Sequence, residues 1–479
     1  MSDLPDPSKE NLSDPTPMDR EGARRGRRLV RYVTEPQSIT SSVPAMITMK
    51  MLVVALGLVS SVVVARALGP TNKGIYNLVL AVSALFATIF NLGVMNGNFF
   101  YVARREMRLA TAYTSTLVVV VISSALVAPL IVVFGSGMLH RWFGSIPEQW
   151  LLVSLLILGP LTIHSIMTQS ALLSINRAVA TYALPLLGLA ITATGATLVL
   201  LVMDLGLAGM IWVSVVGLLL TQVAAVLILR RGGPLIERPR PAELFKAVRW
   251  GFPLWAATLL SVLLQRFDQL LVVHRSGPSD LGQYALAVAI GEVLWSIDVP
   301  ITTAVRFRIA SGSGDDSADL IARLARLVII TMSVLCLGLA VFAHWLIPFL
   351  YSEAFGPAVP ALIAYLPAVL FLSVARIVGE DLGYQRARTD LVLLNNGVAL
   401  VVNVVLLLVL LPPFGIVGAS LASVGAYFVL FLMTVIFHTR LAGSRMRDIL
   451  VPRAADFRVL FGLCRGYISS FAARRHGVR

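Results

Sequence analysis

The stretch Gly69-Pro70-Thr71-Asn72-Lys73-Gly74-Ile75-Tyr76-Asn77-Leu78 returns 208 residues later as Gly277-Pro278-Ser279-Asp280-Leu281-Gly282-Gln283-Tyr284-Ala285-Leu286. Each copy keeps the Gly-Pro pair, the second glycine, the tyrosine and the last leucine at the same spacing. Asn176-Arg177-Ala178 matches Gln385-Arg386-Ala387, and Gly206-Leu207-Ala208-Gly209 matches Gly415-Ile416-Val417-Gly418, both at an offset of 209. One Gly-Pro turn is unremarkable. Three anchors in nearly one frame define an internal repeat.

The chain around these anchors is apolar. It has 479 residues, 57% of them hydrophobic and 13% charged, and a mean hydropathy of +0.84. Soluble domains are about a quarter charged, so a soluble enzyme and a disordered chain are excluded. A membrane helix needs roughly 20 mainly apolar residues. Twelve such segments are expected, near 43–66, 75–101, 110–134, 149–174, 179–203, 206–229, 250–274, 283–305, 327–350, 357–379, 390–411 and 415–438. Two close pairs are split by Asp204-Leu205-Gly206 and by Pro412-Pro413-Phe414-Gly415, where proline is expected to end the helix. Six segments per copy make the repeats parallel, related by an axis along the membrane normal with a site between them. The expected fold is an all-α polytopic membrane protein, with twelve transmembrane helices as two six-helix repeats around a central cavity. Its parts are a disordered basic N-tail (1–42), a first half (43–229), a linker (230–249), a second half (250–438) and a basic tail (439–479).

Charge gives the orientation. With the N-terminus in the cytoplasm, 32 of the 39 Lys and Arg residues fall on the cytoplasmic side and four on the other (Arg66, Lys73, Arg141 and Arg275). That bias places both termini on the cytoplasmic side of the membrane. The net charge of +14 therefore reads as topology and contact with lipid headgroups, not nucleic acid. About 40 mostly polar residues precede the first apolar run, so no cleavable signal peptide is expected. Two cysteines allow no disulfide framework, and no P-loop or metal-ligand spacing occurs. The longest outer loop, 135–148, carries Glu148 as its single acid, too little for a glycosyltransferase or polymerase. In the tail, Phe457, Leu460, Phe461, Cys464, Ile468 and Phe471 form an apolar stripe expected to lie on anionic lipid.

Ala65-Arg66-Ala67-Leu68-Gly69-Pro70 through Gly74-Ile75-Tyr76, with Asn91-Leu92-Gly93, resembles the first loop and second helix of polysaccharide-unit flippases. Arg266-Phe267-Asp268-Gln269-Leu270-Leu271 and Leu281-Gly282-Gln283-Tyr284 resemble their seventh helix and the loop after it. These flippases belong to the multidrug/oligosaccharidyl-lipid/polysaccharide exporter superfamily, and the resemblance covers roughly 40–440. It implies a transporter that flips an oligosaccharide on a polyprenyl pyrophosphate by alternating access, without enzymatic chemistry and beside a polysaccharide polymerase and export machinery. A multidrug extruder shares the same plan, and a non-transporting scaffold of a synthase complex is a further reading.

Ionisable groups inside a span are costly and face a cavity or a partner. The seventh segment carries Thr258, Ser261, Gln265 and Asp268 on one stripe, with Arg266 at its edge. The eighth carries Glu292, Ser296, Thr303 and Arg306, and the second carries Asn77, Thr88, Asn91 and Asn98. Arg266 and Glu292 lie about a dozen residues either side of one turn. At 1.5 Å per residue both sit roughly 18 Å deep, so they can meet. They form either a structural ion pair or a phosphate-binding arginine that Glu292 releases. Glu292 and Asp268 are also candidates for proton or sodium coupling. Lys50, alone in the first segment, either snorkels to the interface or guides phosphate inward. Arg376 is expected to pair with Glu380 one turn on. The candidate cargo contacts are thus Lys50, Arg266, Asn77, Asn91, Gln265 and Ser296. No cofactor is expected; a proton or sodium gradient, or the membrane potential, would drive transport.

Overall fold

The computed structural model describes residues 39–143, 146–231, 233–295, 314–386 and 388–458, and all regular structure among them is helical. Among the described residues, nine helices are long and apolar enough to cross a membrane. Three of them are too long for a single crossing. α1 (Ile39–Phe90) has 52 residues, α8 (Pro241–Trp295) has 55 and α11 (Thr389–Ala442) has 54. Each would run to about 80 Å against a hydrocarbon core of about 30 Å. Each is broken at one residue, Gly69 (φ 67°), Gly277 (φ 87°) or Gly415 (φ 56°). Left-handed φ costs glycine nothing and other residues strain. Each of the three therefore divides into two arms at its glycine, and the chain is an all-α polytopic membrane protein.

The remaining elements are α2 (Val94–Ala103), α3 (Leu109–Phe143), α4 (Glu148–Val153), α5 (Gly159–Ser174), α6 (Ala178–Thr197), α7 (Gly206–Arg230), α9 (Gly314–Tyr351), α10 (Ala358–Glu380) and α12 (Met446–Leu450). Wider π-turns follow α4, α6 and α10, at Ser154–Leu158, Leu198–Val202 and Asp381–Gln385.

The repeat anchors now have physical reasons. Gly69 and Gly277 make the turn in the first motif. Gly206 (φ 55°) and Gly415 make the turn in the third. Helix α11 runs through Pro412 and Pro413 and breaks only at Gly415, which corrects the expectation of a proline break. Proline's fixed φ is itself helical, so the two rings remove the N–H bonds that positions 412 and 413 would make without turning the backbone out of the helix. In the second motif, Arg177 donates to the Ile228 carbonyl in the last turn of α7, and Arg386 donates to the Leu441 carbonyl (2.7 Å) in the last turn of α11. Each arginine thus serves the negative end of the last helix of its half. The motif tyrosines are also matched. The Tyr76 and Ser214 hydroxyls are 3.0 Å apart, and those of Tyr284 and Ser423 are 3.3 Å apart.

The two copies of the first motif touch each other. A Cβ on Gly74 would lie 1.8 Å from the Pro278 carbonyl oxygen, and one on Gly282 would lie 2.0 Å from that of Pro70. At this Gly-Pro end Arg66 also donates to the Leu350 carbonyl (2.7 Å) and the Phe349 carbonyl, in the last turn of α9. Ala65, Ile75 and Leu78 share one buried cluster with Leu264, Leu281 and Tyr284. At the basic end, Gly93 backs onto Gly251 and Gly97 onto Ala247. The Phe100 ring stacks on Trp250 at 4.0 Å.

The segment between the halves is shorter than expected, because α8 starts at Pro241. Glu237 straps it to α3, accepting from Thr111 and from Arg108 (3.2 Å). The Thr111 hydroxyl, with Arg240 and Arg108, holds this carboxyl below its ordinary value. The tail docks before it leaves the described residues. Ile449 is fully buried beside Ile321, Ala325, Val328 and Val435. Arg326 bridges to Asp456 at 2.7 Å and donates to the Asp448 carbonyl. Of the expected amphipathic tail stripe, Leu460 to Phe471 lie outside the described residues, and Phe457 is exposed.

Candidate functional site

Arg266 and Glu292 meet across the two arms of α8, at 3.0 Å between Nη1 and Oε1 and 3.4 Å between Nη2 and Oε2. Their side chains remain 31% and 26% exposed, so the pair faces space rather than packed core. Glu292 of this pair lines a cavity of about 390 Å³ between the halves. Its walls hold Lys50, Gly57 and Ser61 from the first arm of α1, Glu292 and Trp295 from α8, Tyr351 from α9 and Arg376 from α10. The Arg376 guanidinium lies over the Trp295 ring at 4.3 Å. A guanidinium on an aromatic face gains cation–π attraction.

A second cavity, of about 630 Å³, lies wholly in the C-terminal half and shares Arg376 with the first. Thr258, Ser261 and Gln265 of α8 face Asn395, Asn396 and Thr434 of α11 there. Gln265 bonds back to Ser261 through the carbonyl (3.0 Å) and the hydroxyl (3.1 Å).

The other candidates are placed differently. Asp268 is buried at 2% exposure, with its carboxylate fully engaged. It accepts from the Tyr284 hydroxyl (2.5 Å), the Gln269 N–H (2.7 Å) and the Ser423 hydroxyl (3.5 Å). Its repeat equivalent is Ser60, so the acid is an addition of the second half to the shared tyrosine–serine pair. Asn91 is buried, and its Oδ1 accepts the Met95 N–H (3.0 Å) just past the break at Leu92 and Gly93. Asn98 donates to the Ala112 carbonyl (3.0 Å), and the Thr88 carbonyl accepts from the Trp255 indole (2.7 Å). Asn77 is half-buried. Ser296, Asp298, Thr303 and Arg306 lie outside the described residues. Sequence reasoning missed Asn395 and Thr434 as cavity residues. Their signal was polarity on segments where no stripe was sought, while Trp295 sits on a segment read for its polar residues alone. Among the described residues, no group of three metal-ligating side chains occurs.

Comparison with known proteins adds the following. The model of a family described as polysaccharide biosynthesis protein matches residues 39–309. The lipid II flippase MurJ in an inward closed conformation superposes with a TM-score of 0.70 at 15% identity, over 84% of this chain and 88% of that one. An inward-facing multidrug resistance MATE family transporter of the MOP superfamily gives 0.65 at 13% identity, over 84% and 98%. The outward-facing conformation of a MATE family transporter gives 0.59 at 13%, over 86% and 98%. At such identities the likeness establishes the fold alone. Comparison with curated proteins gives no match.

Proposed function

The chain belongs to the polysaccharide biosynthesis protein family, and from that premise we propose that it flips a polyprenyl-pyrophosphate-linked oligosaccharide across the bacterial cytoplasmic membrane. The observation that carries this reading is the cavity between the halves in which Lys50 and Arg376 share walls with Glu292. A pyrophosphate drawn to mid-membrane loses its water, and fixed cations must replace that hydration. Lys50 supplies a point charge and Arg376 a planar fork. Arg266 adds a third cation whose hold on Glu292 the incoming phosphate can contest. The lipid tail stays in the bilayer while the headgroup crosses.

In the structure the Gly-Pro end is sealed by Arg66 on the α9 carbonyls and by the paired glycine contacts. Alternating access requires this seal to part as the halves rock. No bond of the cargo changes, so the protein acts as a transporter and not an enzyme. With both termini cytoplasmic, an inside-negative potential favours outward passage of an anion by about 2.3 kcal/mol per charge per 100 mV. Coupling through Glu292 or Asp268 to protons or sodium would add to it. The exported unit would pass to a polymerase.

The test is export in cells lacking the native gene. Lys50→Gln and Arg376→Gln should each leave the protein in the membrane and cause lipid-linked saccharide to accumulate on the cytoplasmic leaflet. Lys50→Arg should retain more function. Normal export by the double Gln variant at native abundance overturns the reading. Selective loss of cationic-dye efflux in these variants points instead to a multidrug extruder.

A further inference from the structure

The two cavities differ in chemistry, and the difference divides the cargo. The smaller is lined by cations and one acid. The larger sets hydroxyls and carboxamides into a wall that is otherwise apolar, with charge confined to Arg376 and Glu380. We infer that the larger cavity is a saccharide compartment, which reads an uncharged, hydroxyl- or N-acetyl-bearing sugar unit while the smaller one holds the phosphates. Arg376, present in both walls, marks the joint between them. This rests on the reading above that the cargo is a lipid-linked saccharide.

The fold does not need this polar wall. The repeat frame maps Ser261 and Gln265 onto Val53 and Gly57, and Asn395, Asn396 and Thr434 onto Leu186, Leu187 and Ala225. The N-terminal half builds the same helices with apolar residues at all five positions. Only Thr258 has a polar counterpart, Lys50, which is the cation of the smaller cavity. A polar group inside a membrane bundle costs free energy unless it is bonded.

One atom is open. Asn395 is 2% exposed, and its Nδ2 donates to the Thr434 hydroxyl at 3.2 Å. Its Oδ1 has no hydrogen-bond partner among the described residues. A buried carboxamide oxygen without a donor is a standing cost that a sugar hydroxyl or acetamido N–H can relieve. The size also fits, since small-ligand sites run from about 300 to 1,000 Å³. A drug-like hydrophobe would leave the Asn395 Oδ1 unpaired, whereas a hydroxyl-rich ligand can satisfy it.

The test uses full-length protein in lipid nanodiscs and two probes. One is undecaprenyl pyrophosphate. The other is the lipid-linked saccharide that accumulates in source cells lacking the gene. The native protein should bind the glycosylated lipid at least tenfold more tightly than the bare one. Asn395→Leu and Thr434→Ala, each installing the residue of the other half, should each cut that sugar-dependent increment by about tenfold, the worth of one or two hydrogen bonds. Affinity for undecaprenyl pyrophosphate should hold, which also reports that the variants are folded. Should either variant fail to fold, Ser261→Ala provides the same comparison. Equal binding of the two probes by the native protein overturns the saccharide compartment and leaves the transport reading standing. So does an equal loss for both probes in the variants. If the deleted cells accumulate no lipid-linked saccharide, the transport reading falls and takes the compartment with it.

Discussion

Removing either partner of the Arg266–Glu292 bridge tests whether this pair holds the two arms of α8 together. Exposed ion pairs are worth about 0.2–1 kcal/mol, while removing one partner of a buried pair costs about 3–5 kcal/mol. With 31% and 26% exposure and contacts of 3.0 and 3.4 Å, this pair stands between those cases. A coupling of about 2 kcal/mol is the expectation, discounted from the buried figure because both groups are partly exposed. In a chain of this length each kcal/mol shifts Tm by about 1–2 °C, extending the trend of smaller domains. Arg266→Ala and Glu292→Ala should therefore each lower Tm by about 2–4 °C. The double variant should fall no further than the worse single one, because the second removal strands no charge. The assay is thermal unfolding of detergent-purified protein followed by loss of the monodisperse elution peak. A double variant whose loss equals the sum of the singles refutes the pairing. Native Tm in both singles with failed export makes Arg266 a cargo contact instead.

Three further outcomes follow from the same geometry. Gly74→Ala sets a Cβ against the Pro278 carbonyl, which no rotamer can relieve; a cysteine replacing the buried Ile75 should then react with an impermeant thiol reagent that it resists in the native background. Arg66→Gln removes the charged donor to the α9 carbonyls and should speed that same labelling about tenfold, given about 1.5–3 kcal/mol for bonds to a charged group; unchanged labelling in both variants would mean that the Gly-Pro end is no seal. Burial alone would raise the Asp456 carboxyl, but the Arg326 bridge and the Arg453 N–H outweigh it and hold it below its ordinary value. Its contribution to tail docking is therefore complete above the unfolded pKa of about 3.9 and is lost as pH falls through the lower folded value. Hydrogen exchange at 446–456 should stay slow from neutral pH to about 5 and speed up only in stronger acid. Asp456→Asn should exchange fast throughout, and an Asn variant as protected as the native tail would sink the docking argument.

Much of the frame was readable because its constraints are local. A left-handed turn demands glycine, so Gly69, Gly206, Gly277 and Gly415 had to recur wherever the turn did. The motif tyrosines recur because each bonds a serine that itself recurs, Ser214 and Ser423. The break in α11 was read one step wrong because proline was treated as a stop when its φ is helical. Other features depend on distance along the chain. Arg326 and Asp456 are 130 residues apart, and nothing in either neighbourhood announces the other. The same holds for Glu237 and Thr111, whose meeting turns an expected linker into a strap.

The site shows where pattern and position part company. Arg266 and Glu292 could be paired on paper because they flank one turn, and rise per residue converts sequence distance into depth. Helical spacing relates Arg376 to Glu380 one turn on, but carries no information about Trp295 on a neighbouring helix. The second segment's stripe was read as a wet wall. In an apolar medium, though, a carboxamide is as useful for mending broken backbone as for holding cargo. Asn91 mends the break at Gly93, and Asn98 ties α2 to α3. A polar stripe on one helix therefore establishes only that something must be satisfied. What separates the wall of the larger cavity is the comparison within the chain itself. The apolar equivalents Leu186 and Ala225 show that Asn395 and Thr434 answer to no demand of the fold. A residue that the fold does not require, in a half that would be cheaper without it, is accounted for by what it binds.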